Sequence, residues 1–158
     1  QIDGGKSTTV YRSGTPETAN IVALEKALFL SLNSLYERYK TVEVLYNKLK
    51  KELHAYSKVV INNTENSIPY TLNFSIKNIR SMDIQKELEK HEIYVSTKTS
   101  CCPVTTPSKL VYALTKDKNK ALSSIRVSLS HLTTEKEIDQ FLSIFNQIYK
   151  EYEFNGKI

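Results

Sequence analysis

Three short stretches carry the residue types from which a site could be built. The first is Ser96-Thr97-Lys98-Thr99-Ser100-Cys101-Cys102-Pro103, a polar loop that directly follows a β-like run. A packing cysteine belongs inside an apolar stripe. A cysteine in a Ser/Thr-rich loop is instead open to reagents, and Lys98 favours its nucleophilic thiolate form. On chemistry alone, a functional thiol and an incidental one are equally good readings. The second is Arg126, within Ser124-Ile125-Arg126-Val127-Ser128-Leu129. If Ile125, Val127 and Leu129 face a core, Arg126 faces the other way with Ser124 and Ser128. Its planar fork can then take a carboxylate through two parallel hydrogen bonds, although a solvated surface arginine also suits the local pattern. The third is Arg12-Ser13-Gly14-Thr15, just before Pro16. Backbone amides and a hydroxyl at a helix N-terminus make a phosphate site, and the same pattern can be a plain helix cap.

The elements that must position these residues follow from periodicity. Residues 1–16 read as loop. From Glu17 to about His54 the apolar residues recur at helical spacing, first Ile21, Leu24, Leu28, Leu32 and Leu35, then Val42, Leu45, Leu49 and Leu53. The phase changes near Tyr39–Val42, which predicts two helices or one bent helix, with both stripes packed in a core. Lys58-Val59-Val60-Ile61 is a short strand and residues 62–67 a polar turn. Tyr70–Ile76 alternates with Leu72, Phe74 and Ile76 inward, as a half-buried strand does. Ser81 reads as the cap of a helix over Met82–His91, and Ile93-Tyr94-Val95 as a third strand. The loop Ser96–Ser108 leads to a short helix over Lys109–Leu114, a polar linker over Lys116–Lys120 and a fourth strand over Ser124–Ser130. A capping box between Thr134 and Glu137 opens the last helix, which runs to about Tyr152. The order predicts an α+β fold: a small, mostly antiparallel sheet of three to four strands packed with helices, preceded by a long helical segment.

Composition narrows the functional classes. The chain has 158 residues, 40% hydrophobic and 25% charged, which suits one globular domain and excludes a disordered or collagen-like chain. No apolar run approaches the roughly 18 residues that span a bilayer, and no basic-then-apolar leader opens the chain. Gln1 in place of Met reads as a processed or cut end. The net charge is +5 and is carried mainly by scattered Lys, with Arg only at 12, 38, 80 and 126. That pattern is a solvated basic surface rather than a nucleic-acid face. The two cysteines are adjacent and His54, His91 and His131 lie far from them, so no metal framework is expected. Free thiols imply a reducing, cytoplasmic compartment.

In their order and spacing these stretches resemble the cysteine desulfurases, pyridoxal-phosphate enzymes of the class V aminotransferase group. The resemblance rests on Arg12-Ser13-Gly14-Thr15-Pro16 leading into residues 21–28; on Pro69-Tyr70-Thr71-Leu72-Asn73-Phe74-Ser75; on Val95 through Cys101; and on residues 124–129 followed by Thr133-Thr134-Glu135-Lys136-Glu137-Ile138-Asp139. It covers only the C-terminal part of that family. Residues 1–16 correspond to a loop remnant of the large cofactor-binding domain, and residues 17–158 to the C-terminal small domain. The large domain, with its Schiff-base lysine, has no counterpart in this chain, so the chain alone is expected to be inactive and to hold no pyridoxal phosphate.

The resemblance implies that Cys101 is the nucleophile that becomes a persulfide, that Arg126 holds the substrate α-carboxylate, and that Thr15 hydrogen-bonds the cofactor phosphate. It implies a homodimeric parent that converts L-cysteine to L-alanine and hands sulfur to an acceptor or iron–sulfur scaffold protein. Pro103 restricts Cys102 to extended backbone, where neighbouring side chains point opposite ways, and the register of Ser100-Cys101 selects Cys101 as the thiol that faces the cofactor. The chain departs from the family pattern at Lys98, Thr99, Cys102 and Ser130-His131. Two other readings are open: another class V aminotransferase or lyase that keeps this small domain, and a non-catalytic module that binds a partner through its basic helices.

Overall fold

In a computed structural model of the chain, residues 4–5, 13–98, 103 and 106–156 are described. The chain divides into two compact units, Gln1–Tyr36 and Glu37–Ile158. The expected helical stretch is indeed two helices, α1 (Thr18–Asn33) and α2 (Leu35–His54). They part at Ser34, earlier than the phase change suggested. Ser34 sits at φ −111°, ψ 5°, and its hydroxyl donates to the Leu30 carbonyl at 2.9 Å, a bond that competes with the helical ladder.

The first unit overturns one expectation. None of the residues of α1 is buried, and Val22, Leu24 and Leu32 are 60%, 60% and 68% exposed. Apolar side chains lie all around this helix rather than in one stripe, and the described residues of Gln1–Tyr36 contain no second element to pack against it. The stripe Ile21, Leu24, Leu28, Leu32 is therefore not core in this chain.

The second unit holds the core. Strands β1 (Val59–Ile61), β2 (Thr71–Ile76) and, later in the chain, β3 (Ser124–Ser128) form one antiparallel sheet in the order β1-β2-β3. Register pairs Ile61 with Phe74 and Phe74 with Ile125, so these side chains share one face. Against that face pack Val42, Leu45, Leu49 and Leu53 of α2, together with Ile138, Phe141, Phe145 and Ile148 of α6 (Glu135–Phe154). Phe145 is fully buried and meets Phe74 edge-on at 5.6 Å and Tyr56 edge-on at 5.3 Å. The expected capping box is present: Glu137 N–H donates to Thr134 Oγ1 at 3.3 Å and Thr134 N–H to Glu137 Oε2 at 2.7 Å.

Three local expectations change. Helix α3 (Ser81–Glu89) begins one residue early, with Arg80 at the cap position. The Ser81 hydroxyl instead donates to the Leu122 carbonyl at 3.0 Å, tying α3 to the end of a short helix 41 residues on. Ile93–Val95 is not a strand. Gln85 Nε2 donates to the Val95 carbonyl at 3.1 Å, and ladder pairing is left to a single bridge between Ser96 and Arg126. The linker after α4 (Lys109–Thr115) is partly helical. Lys116 turns the chain with φ 55°, and Asp117 caps α5 (Lys118–Leu122) by accepting from Asn119 N–H at 2.8 Å and Lys120 N–H at 3.1 Å. Asp117 is the signal that marks this helix in the sequence.

Candidate functional site: a cavity at the Arg126 row

The sheet face opposite the core carries polar residues. Asn62 N–H donates to the Asn73 carbonyl at 2.8 Å, extending the β1–β2 ladder by one pair. Asn73 pairs in turn with Arg126, and Arg126 with Ser96. Directly opposed residues share a face, so Asn62, Asn73, Arg126 and Ser96 form one row across the sheet. Two residues along β3 on the same face, Ser124 is fully buried rather than solvated. Helices α4 and α5 cover this face, and Ser75, the partner of Ser124, donates to the Lys120 carbonyl at 2.8 Å.

A cavity of about 250 Å³ opens on this row, lined by Asn62, Asn73 and Arg126 from the sheet, Thr97 and Lys98 from the following loop, and Leu110, Val111 and Leu114 of α4. Its charged lining among the described residues is two cations, Lys98 and Arg126, and no carboxylate. Two buried polar atoms here have no hydrogen-bond partner, Arg126 Nε and Asn62 Oδ1. An unsatisfied buried polar group costs about 1–3 kcal/mol, so a ligand that supplied the missing partners would recover that cost on binding. A carboxylate matches the guanidinium in charge and geometry.

Lys98 has a second role. Its Nζ donates to the Pro103 carbonyl, which also accepts from Thr106 Oγ1 at 2.8 Å. The residues on either side of 99–102 are thereby tied together, with a cation at the tie. Cys101, Cys102 and Arg12 lie outside the described residues. Thr15 is exposed, three residues ahead of α1, and the α1 cap residue Glu17 makes no side-chain cap bond. The helix start offers its positive end, which favours an anion such as a phosphate, while Thr18 N–H is bonded to the Pro16 carbonyl at 2.9 Å. Arg126 and Thr15 belong to different units and each is described within its own.

The asparagines were not singled out from the sequence, where residues 62–67 read as a polar turn. Their signal was the alternation Thr71, Asn73, Ser75 on the outward face of β2 and the cross-strand position of Asn73 opposite Arg126. Both become visible only once the strands are paired.

Known proteins bear on this site. The family model described as Aminotransferase class-V matches residues 4–141. The chain is 30% identical over 158 residues to a NifS/IcsS protein homolog of Lactobacillus delbrueckii subsp. bulgaricus, covering 95% of this chain and 40% of that protein. It is 30% identical over 149 residues to the cysteine desulfurase IscS of Dechloromonas aromatica, covering 93% of this chain and 36% of that protein. The X-ray structure of a NifS-like protein from Rickettsia africae ESF-5 superposes with a TM-score of 0.75 at 30% identity, over 95% of this chain and 39% of that one. The chain therefore spans about 40% of the length of the relatives it matches.

Proposed function

The chain belongs to the class V aminotransferase family, and from that premise we propose that it is the C-terminal part of a cysteine desulfurase, with residues 17–158 as the small domain. The catalytic unit includes a cofactor-binding large domain beyond these 158 residues, which supplies the Schiff-base lysine. The names of the relatives and the 40% share of their length that is matched support this reading. Substrate is L-cysteine, and products are L-alanine and a persulfide destined for an acceptor or iron–sulfur scaffold protein. The parent is a cytoplasmic homodimer. No described helix is long and apolar enough to cross a membrane.

Arg126 binds the substrate α-carboxylate. The single observation that carries this is its buried, partnerless Nε in a cavity whose described charges are both positive. Cys101 is the nucleophile. Its thiolate attacks the substrate sulfur, a new S–S bond replaces the C–S bond, and the released electron pair stays on carbon and takes a proton to give alanine. Lys98, tied to the Pro103 carbonyl, keeps a cation at the foot of the segment that bears Cys101 and so favours the thiolate. Thr15 holds the cofactor phosphate together with the α1 N-terminus. When bound, pyridoxal phosphate supplies the electron sink that weakens the substrate C–S bond.

The test is Arg126→Ala in the cofactor-loaded protein that includes the large domain. Loss of a charge-assisted contact of about 1.5–3 kcal/mol lowers apparent cysteine affinity on the order of 10- to 100-fold, while the unfolding midpoint stays put. An unchanged KM for cysteine removes Arg126 from the site.

A further inference from the structure

Asn62 lines the Arg126 cavity and carries a second unmet hydrogen-bonding group, of opposite polarity to the first. The residue is only 9% exposed. Its Nδ2 donates to Asn73 Oδ1 at 2.7 Å and to Ser75 Oγ at 2.8 Å, which uses both N–H groups. The amide cannot be turned over at no cost, because Ser75 spends its own proton on the Lys120 carbonyl at 2.8 Å and can only accept from Asn62. Oδ1 is thereby left as the acceptor, buried and without a donor. Arg126 Nε is a donor without an acceptor on the same sheet row and the same cavity. A ligand that satisfies both must carry an anionic acceptor and a hydrogen-bond donor. Lys98 and Arg126 make the cavity cationic, which disfavours an ammonium as that donor and leaves an uncharged S–H or O–H.

We propose that Asn62 is a substrate-positioning residue that reads the thiol of the amino acid whose carboxylate Arg126 holds, its Oδ1 accepting the S–H hydrogen bond. This rests on the desulfurase reading above and adds to it a determinant of side-chain specificity. Asn73 and Ser75 position Asn62 through the two bonds to its Nδ2.

The test is calorimetric titration of the protein that includes the large domain, under reducing conditions and with its cofactor removed, with L-cysteine and with L-2-aminobutyrate, which replaces the thiol by a methyl group of similar size. A net hydrogen bond to a neutral group predicts that cysteine binds about 3- to 10-fold tighter. In Asn62→Leu that ratio falls to about one while 2-aminobutyrate binding persists, and the persistence shows that the cavity is intact. Ser75→Ala, which frees the amide to turn, lowers the ratio partway and serves should Asn62→Leu not fold. Equal binding of the two amino acids to the unaltered chain, or an unchanged ratio in Asn62→Leu, overturns the proposal and leaves the carboxylate site standing. No binding of either amino acid overturns both. Sulfide release by the cofactor-loaded protein reports on the desulfurase reading separately.

Discussion

Two adjacent thiols in one loop cannot both serve as nucleophile, and the choice belongs to individual residues. By sequence, Ser100-Cys101 keeps the family register after Val95, and a proline after Cys102 is expected to restrict that residue to extended backbone. In the cofactor-loaded protein, Cys101→Ser is expected to abolish sulfide release and persulfide formation with the cofactor absorbance unchanged, whereas Cys102→Ser keeps most of the activity. Alkylation followed by mass spectrometry locates the persulfide, and its appearance on Cys102 alone would reverse the assignment. Arg126 is the complementary case. Its type and strand position were legible from the sequence, but the burial of its Nε without a partner was not.

At the scale of elements, α6 carries its own start signal. Thr134→Ala removes the Oγ1 acceptor of the capping box and should cost about 1 kcal/mol in urea unfolding. The Glu137 carboxyl is held below its ordinary range by hydrogen bonds from the Thr134 backbone and hydroxyl. A carboxylate with a depressed folded pKa contributes stability above its unfolded value and loses it as pH falls through the folded one. The mutational difference between the parent chain and Thr134→Ala should therefore be full at neutral pH and shrink on acidification below the usual glutamate range. A pH-independent difference would show that the charge plays no part in the cap. Helix α1 poses a different question, since a helix that is apolar all round is ordinarily enclosed. Its exposed face should bind a hydrophobic dye in the 158-residue chain, and Leu24→Gln with Leu28→Gln should lower that signal without moving the unfolding midpoint of Glu37–Ile158. Undiminished dye binding would place the exposed apolar surface elsewhere.

At the scale of the molecule, one core in Glu37–Ile158 joins the sheet to α2, α3 and α6, and Phe145 stands at its centre, with Tyr56, Phe74, Phe141 and Tyr149 around it. Phe145→Ala empties that centre and is expected to cost about 3–5 kcal/mol, a large share of the stability of a domain this size. A loss below about 1 kcal/mol in chemical denaturation would mean that the core collapses around the gap. The same packing explains how the site is built. The inward face of the sheet is fully committed to α2 and α6, so the outward row is the one left to face α4 and the loop after Ser96, where the cavity forms.

The sequence by itself determined most of the local structure. A short apolar run marked β1, period-2 alternation marked β2 and β3, period-3.6 runs marked α2 and α6, and Thr134 with Glu137 marked a helix start, because these signals are written in neighbouring residues. The order of Thr15, Cys101 and Arg126 was enough to suggest the family. Only the tertiary structure decided the rest. Whether Leu24 and Leu28 are core depends on what packs against α1, which periodicity does not report. Whether Val95 joins the sheet depended on a side chain ten residues away, Gln85, taking its carbonyl. Asn62 and Arg126 are 64 residues apart in the sequence, and no local pattern relates them. They line one cavity because β2 pairs with both neighbours in fixed register, which sets their side chains on one face and buries an acceptor and a donor there, each without a partner.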